Sequence, residues 1–153
     1  GKRKVMTIVD IGTGSGCIAV TLALELPDMR VIATDVSNDA LNVARLNALR
    51  HRVDKRMEFR QGNGMEPVND ITEPFLLVTN PPYVFSTRTL MPDVQNFEPH
   101  VAIFGGADGM ALIREIVRDA EAHPMCVGMI MECEMRQAAA IRGFDPAHHK
   151  QSP

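Results

Sequence analysis

"VDIGTGSGCIAV", residues 9–20, decides how this chain is read. An apolar run ends in an acid, Asp10, and three glycines follow at alternate positions, Gly12, Gly14 and Gly16, before the helical pattern of "CIAVTLALEL". Glycines so spaced let the chain turn sharply and let a ligand approach backbone N–H groups closely. A strand, a turn of this kind and a helix make a nucleotide-cofactor site in many α/β folds. The spacing is D-x-G-x-G-x-G, not the G-x-G-x-x-G of dinucleotide binders, because the third glycine comes one residue early. A diphosphate is then poorly matched to the helix N-terminus, which favours a cofactor without phosphates. The next strand ends in Asp35, within "VIATDVS", where an acid can accept two hydrogen bonds from a ribose diol. Asp35 could instead cap the helix "NDALNVARLNAL". The order of turn and acid together favours a nucleoside cofactor over a purely structural turn.

Outward from this stretch, strand-length apolar runs alternate with longer helical patterns, the βαβ signature of an α/β fold with a parallel sheet. Strands are expected at 5–10, 30–34, 57–61, 75–79 and 126–131, and helices at 15–26, 38–51, 108–122 and 134–142. Between Asn80 and Asp108 the chain has four prolines and little periodicity. Connections in compact domains run to about 4 to 6 residues, and one this long is usually a functional lid or disordered.

The 153 residues, 45% of them hydrophobic, fit one domain with a real core. A net charge of −3 from 16 basic and 19 acidic residues provides no basic field for nucleic acid. The clusters "GKRK" at the start and "RHRVDKR" at 50–56 read as a solvated terminus and a solvated helix end. Three cysteines, Cys17, Cys126 and Cys133, form no CxxC pair, which argues against a disulfide framework and a zinc site. His148 and His149 read as tail, and no metal is expected. No apolar run approaches the roughly 20 residues that span a bilayer, and the opening lacks a signal-peptide core. The expectation is a soluble, cytoplasmic protein.

A second stretch carries chemistry. In "LLVTNPPYVFST", residues 76–87, an apolar run meets Asn80, two prolines and the single tyrosine, Tyr83. Prolines donate nothing to a sheet and hold φ near about −65°, and a residue before proline is kept out of the helical region. Such a segment is either a rigid turn or a fixed mount for a side-chain amide and a ring.

With "DIGTGSG", "ATDVS", "TNPPY" and "FEPHVAIFGGADG", the chain closely resembles the HemK/PrmC family of protein-(glutamine-N5) methyltransferases from about residue 5 to 144. The resemblance implies a class I S-adenosylmethionine-dependent methyltransferase fold, Rossmann-like, with a mostly parallel sheet lacking its last two strands. Residues 1–153 would be the catalytic domain, without the family's amino-terminal substrate-recognition domain, and with an exposed sheet edge or a dimer contact. The implied substrate is the glutamine of the Gly-Gly-Gln motif of peptide-chain release factors.

By the same resemblance, Gly12, Thr13, Gly14, Ser15 and Gly16 form the turn around the methionine part of S-adenosylmethionine, Asp35 binds the ribose, and Asp10 belongs to the cofactor-binding set. Asn63 and Gly64 stand at the adenine, where relatives carry an acid and a large apolar residue. Asn63 keeps an acceptor carbonyl without the charge, a difference of about 1 to 2 kcal/mol. Glu134 is a further departure, where relatives tend to have glycine. Asn80, Pro81 and Tyr83 would be catalytic and, with Pro82, would bind the amide being methylated; Asn80 also borders the cofactor. Two other readings fit the same site: N-methylation of adenine or guanine amino groups in DNA or RNA, and a cofactor-binding module without activity. Few aromatics and a negative charge argue against nucleic acid.

Overall fold

The computed structural model describes residues 4–81, 110–133 and 138. They form β1 (Thr7–Ile11), α1 (Cys17–Glu25), β2 (Arg30–Asp35), α2 (Asn38–Arg50), β3 (Met57–Gln61), β4 (Phe75–Thr79), α3 (Ala111–Ala122) and β5 (Cys126–Met131). The strands make one sheet in the order β3-β2-β1-β4-β5, every neighbouring pair parallel. A parallel sheet is covered on both faces, so its inner strands carry near-continuous apolar runs. That is why β1 is buried along its whole length, Asp10 included.

The two faces have separate cores. On one, Ala19, Val20 and Ala23 of α1 and Ala48 of α2 pack on Val31 and Ala33 of β2. On the other, Ile116 and Ala120 of α3 pack with Val9, Ile11, Ile32, Phe75 and Leu77. Each large apolar side chain fully buried here contributes about 1.5–3 kcal/mol. Small residues on α1 and α2 let both helices approach the sheet closely. Where α3 ends, His123 closes the turn into β5: Nδ1 accepts from the Met125 N–H at 3.1 Å, and Nε2 lies 3.2 Å from the Val68 carbonyl oxygen.

Strands β3, β4 and β5 fall where the apolar runs put them. The first helix begins at Cys17 rather than residue 15 because Gly12, Gly14 and Gly16 all have positive φ, and Gly16 at 81° is the N-cap. The first strand starts two residues later and ends one later than expected, at Ile11. Among the described residues β5 pairs only with β4, and its Ile130 is 59% exposed. The expected helix at 134–142, apart from residue 138, the segment 97–109 and the connection 84–107 lie outside the described residues, as do Glu134, His148 and His149. No helix among the described residues is long and apolar enough to cross a membrane.

Candidate functional site

The order in which strands are added reverses at β1. β2 and β3 extend to one side and β4 and β5 to the other, so the carboxyl ends of β1 and β4 flank the crevice where open α/β sheets take ligands. Ile11 pairs in register with Thr79, and the buried Thr79 Oγ1 donates to the Ile11 carbonyl oxygen at 2.8 Å. The next residue is Gly12 on one strand and Asn80 on the other. With paired strands about 4.8 Å apart, the glycine turn and the Asn-Pro segment leave the sheet side by side.

The turn is tied down on three sides. Thr13 N–H donates to the Thr34 carbonyl and Gly16 N–H to the Thr13 carbonyl, both at 2.9 Å. Gly14 N–H donates to Asp35 Oδ2 at 2.9 Å, and Asn47 Nδ2 on α2 donates to the Ser15 carbonyl at 2.9 Å. Gly12 and Gly14 have φ of 70° and 56°, and nothing lies within 4 Å of where a Cβ on either would stand. Glycine is needed there for conformation, and the space beside the turn is open. Gly16 is needed for space as well, since its Cβ would lie 2.9 Å from the Cβ of Ala44.

Asp10 sits beneath this turn, 1% exposed. Its Oδ2 accepts from Thr13 Oγ1 at 2.7 Å, whereas among the described residues no donor, the nearby Ala19 N–H included, meets Oδ1 with hydrogen-bond geometry. Burial pushes its pKa up from 3.8 to about 6; the Thr13 hydroxyl and the Ala19 N–H oppose the rise, and the charge of Asp35 adds to it. Asp35 is half-buried, and its Oδ1 accepts from the Ser37 N–H at 2.9 Å. Both oxygens keep a further lone pair, since a carboxylate offers about four acceptor sites. The cap of α2 is Ser37, whose Oγ accepts from the Ala40 N–H at 3.2 Å. Asp35 is thus not the helix cap; it is spent on the turn and free toward the crevice.

Asn63 and Gly64 follow β3 at the same end of the sheet, Asn63 exposed and Gly64 buried with φ of 49°. Asn80 is exposed and Pro81 buried at the end of β4; Pro82 and Tyr83 lie outside the described residues. Ser37 was readable from the preference of serine for helix N-caps. Ala44 and Asn47 left no local signal, because their partners lie a helix away. An open concavity of about 620 Å³, lined by residues including Asn69, Thr72, Asp119 and His123, lies at the opposite end of the sheet, where α3 turns into β5. It shares no residue with the glycine turn.

A parallel sheet in this order, with a glycine turn after β1 and an acid ending β2, is the class I, Rossmann-like methyltransferase fold. The precorrin-6y C5,15-methyltransferase of Geobacter metallireducens superposes on 93% of this chain and 61% of its own, with a TM-score of 0.62 at 12% identity, a likeness of fold alone. The chain belongs to the methyltransferase small domain family, which matches residues 2–97. It is 40% identical over 143 residues to a release factor glutamine methyltransferase of Staphylococcus aureus, covering 90% of this chain and 50% of that protein. A protein of the same name from Enterococcus faecalis is 37% identical over 149 residues, 95% of this chain and 53% of its own. The chain spans about half the length of these curated relatives.

Proposed function

We propose that residues 1–153 are the catalytic domain of an S-adenosylmethionine-dependent methyltransferase that acts on the side-chain amide nitrogen of a protein glutamine, in the Gly-Gly-Gln motif of cytoplasmic peptide-chain release factors. The observation that carries the reading is the adjacency of two motifs: a cofactor turn after Ile11 and Asn80-Pro81 after Thr79, on strands in register. The names of the two relatives above supply a release factor glutamine as the substrate, and the family resemblance supplies the Gly-Gly-Gln motif.

The residues present suit the cofactor. Open space beside Gly12 and Gly14, the free lone pairs of Asp35 and the unpartnered Asp10 Oδ1 match a ligand with a cationic amino-acid end and a ribose diol. Gly12, Thr13, Gly14, Ser15 and Gly16 would hold the methionine part, Asp35 the ribose, and Asn63 and Gly64 the adenine. Asp10 works from below, fixing Thr13 and facing the cationic end. When bound, S-adenosylmethionine supplies an electrophilic methyl carbon.

An amide nitrogen is a poor nucleophile because its lone pair is delocalised into the carbonyl. The Asn80 side-chain oxygen and the Pro81 carbonyl each accept one N–H of the substrate amide and so aim that lone pair into the crevice. Two consecutive prolines in the sequence stiffen the mount, and Tyr83 would offer its ring to the flat amide. Catalysis is then mainly positioning in a site partly cleared of water, worth several kcal/mol, with no dedicated general base.

The test is mass spectrometry of a release factor after incubation with the full-length protein and S-adenosylmethionine. One methyl on the Gly-Gly-Gln glutamine is expected. An unmodified glutamine, with methyl found on adenine of added DNA or RNA, would move the substrate to a base amino group.

A further inference from the structure

α3 connects two parallel strands, so it runs back from the carboxyl to the amino ends of the sheet, and its first turns stand at the crevice. In the second turn, Glu115 places Oε1 3.7 Å from where a Cβ on Gly64 would stand. Gly64 is buried and Glu115 half-buried. Among the described residues no hydrogen bond reaches the Glu115 carboxylate. Arg118, one turn on, donates to Asp119 at 2.9 Å, and its charge also acts on Glu115 without a hydrogen bond to it. The same face of β2 carries Thr34, paired in register with Ile11, and its buried hydroxyl also lacks a partner among the described residues.

A half-buried carboxylate with no hydrogen-bond donor among the described residues, beside a glycine in the loop that borders the crevice, fits a ligand that brings N–H groups of its own. Gly64 keeps the space clear. A side chain there would demand a positive φ and would be directed at Glu115. We propose that Glu115 is a specificity-determining residue for the cofactor's base: its carboxylate accepts from the exocyclic amino group of adenine on the α3 side, while the Asn63 amide faces the base from the β3 side. The inference rests on the S-adenosylmethionine reading above and deepens it. A charge-assisted bond is roughly twice as strong as a neutral one, so Glu115 rather than Asn63 carries most of the discrimination. A base with a carbonyl in place of the amino group sets oxygen against carboxylate and is rejected.

The experiment is calorimetric titration of the wild-type chain, Glu115→Gln and Glu115→Ala with S-adenosylhomocysteine and S-inosylhomocysteine, with circular dichroism to verify folding. The wild type should bind the adenosyl ligand about tenfold or more tighter than the inosyl one, the effect of one charge-assisted contact. Glu115→Gln, whose amide can turn to donate, should lose about tenfold for the adenosyl ligand, gain for the inosyl one and bring the two within a few-fold. Glu115→Ala should lose adenosyl affinity without that gain. Unchanged affinity and preference in folded Glu115→Gln would overturn the role while leaving the cofactor reading intact. A folded wild type that binds neither ligand would overturn both.

Discussion

The turn after β1 and the end of β4 leave the sheet one strand apart, yet they are made rigid in opposite ways. The turn consists of the most permissive residues in the chain, and tertiary hydrogen bonds to Thr34, Asp35 and Asn47 hold it in place. The Asn80 segment has its stiffness written into covalent geometry, through consecutive prolines behind an in-register Thr79. A ligand that must nestle against backbone calls for glycines, and glycines must then be restrained from outside. On the proposed function, a small planar amide calls for two fixed acceptors, and proline rings would fix them locally. Damage to the first region should therefore spread into stability and cofactor binding, whereas damage to the second should stay within catalysis.

The sharpest break in that comparison is Asn80→Ala. In steady-state assays of the full-length protein it should lower methyl transfer about 10³-fold, the scale of losing an orienting hydrogen bond in a preorganised site. Affinity for S-adenosylmethionine and thermal stability should stay close to wild type. Equal losses in binding and turnover would place Asn80 with the turn instead.

Gly16→Ala should do the reverse. The added Cβ meets Ala44 at 2.9 Å from a φ of 81°, and left-handed strain plus overpacking cost about 3 kcal/mol together. Urea unfolding at neutral pH reads the loss. A wild-type midpoint would mean that α1 and α2 can separate freely at this contact.

Asp10 sharpens the comparison through pH. Its folded-state pKa of about 6 lies above the ordinary 3.8, so between these values the folded state holds the proton that the unfolded state has lost. Stability from this group is present below about 4 and falls as pH rises through about 6. Above that, the charged carboxylate under the turn costs roughly 3 kcal/mol, about 1.4 kcal/mol per unit. Asp10→Asn should remove this fall, so that the difference in unfolding free energy between variant and wild type grows in the variant's favour from pH 4 to pH 7.5. Parallel pH profiles would show that Asp10 does not titrate in this window.

The smallest effect is expected at Asn47→Ala, which removes the donor to the Ser15 carbonyl from an exposed position. A loss of about 1 kcal/mol in unfolding free energy is expected, with a modest weakening of cofactor binding in calorimetry. No change in either would show that β2 alone restrains the turn.

Much of this is legible in the sequence. Strands β3, β4 and β5 are short apolar runs between turn residues, so their period and punctuation located them, and alternation with helices implied a parallel sheet. The glycine turn, Asp35 and Asn80 were legible as types in the right order, because each ends or follows a strand. Residues whose meaning depends on the other side of the fold were hidden. Asp10 was legible as an acid ending a strand, but not its burial beneath the turn or its bond to Thr13, which follow from strand alternation. Asp35 could be weighed as a helix cap until Ser37 was seen in that position. Ala44, Asn47 and Glu115 act on Gly16, Ser15 and Gly64 across helix–loop contacts that no spacing along the chain encodes.

The measurement that most directly tests the account is titration calorimetry of this chain with S-adenosylmethionine, with NAD as the comparison ligand. The arrangement of the glycine turn, Asp35 and the crevice beside Asn80 predicts one-to-one binding of S-adenosylmethionine and none of NAD. Binding of NAD in its place, or no binding by the folded chain, would contradict it.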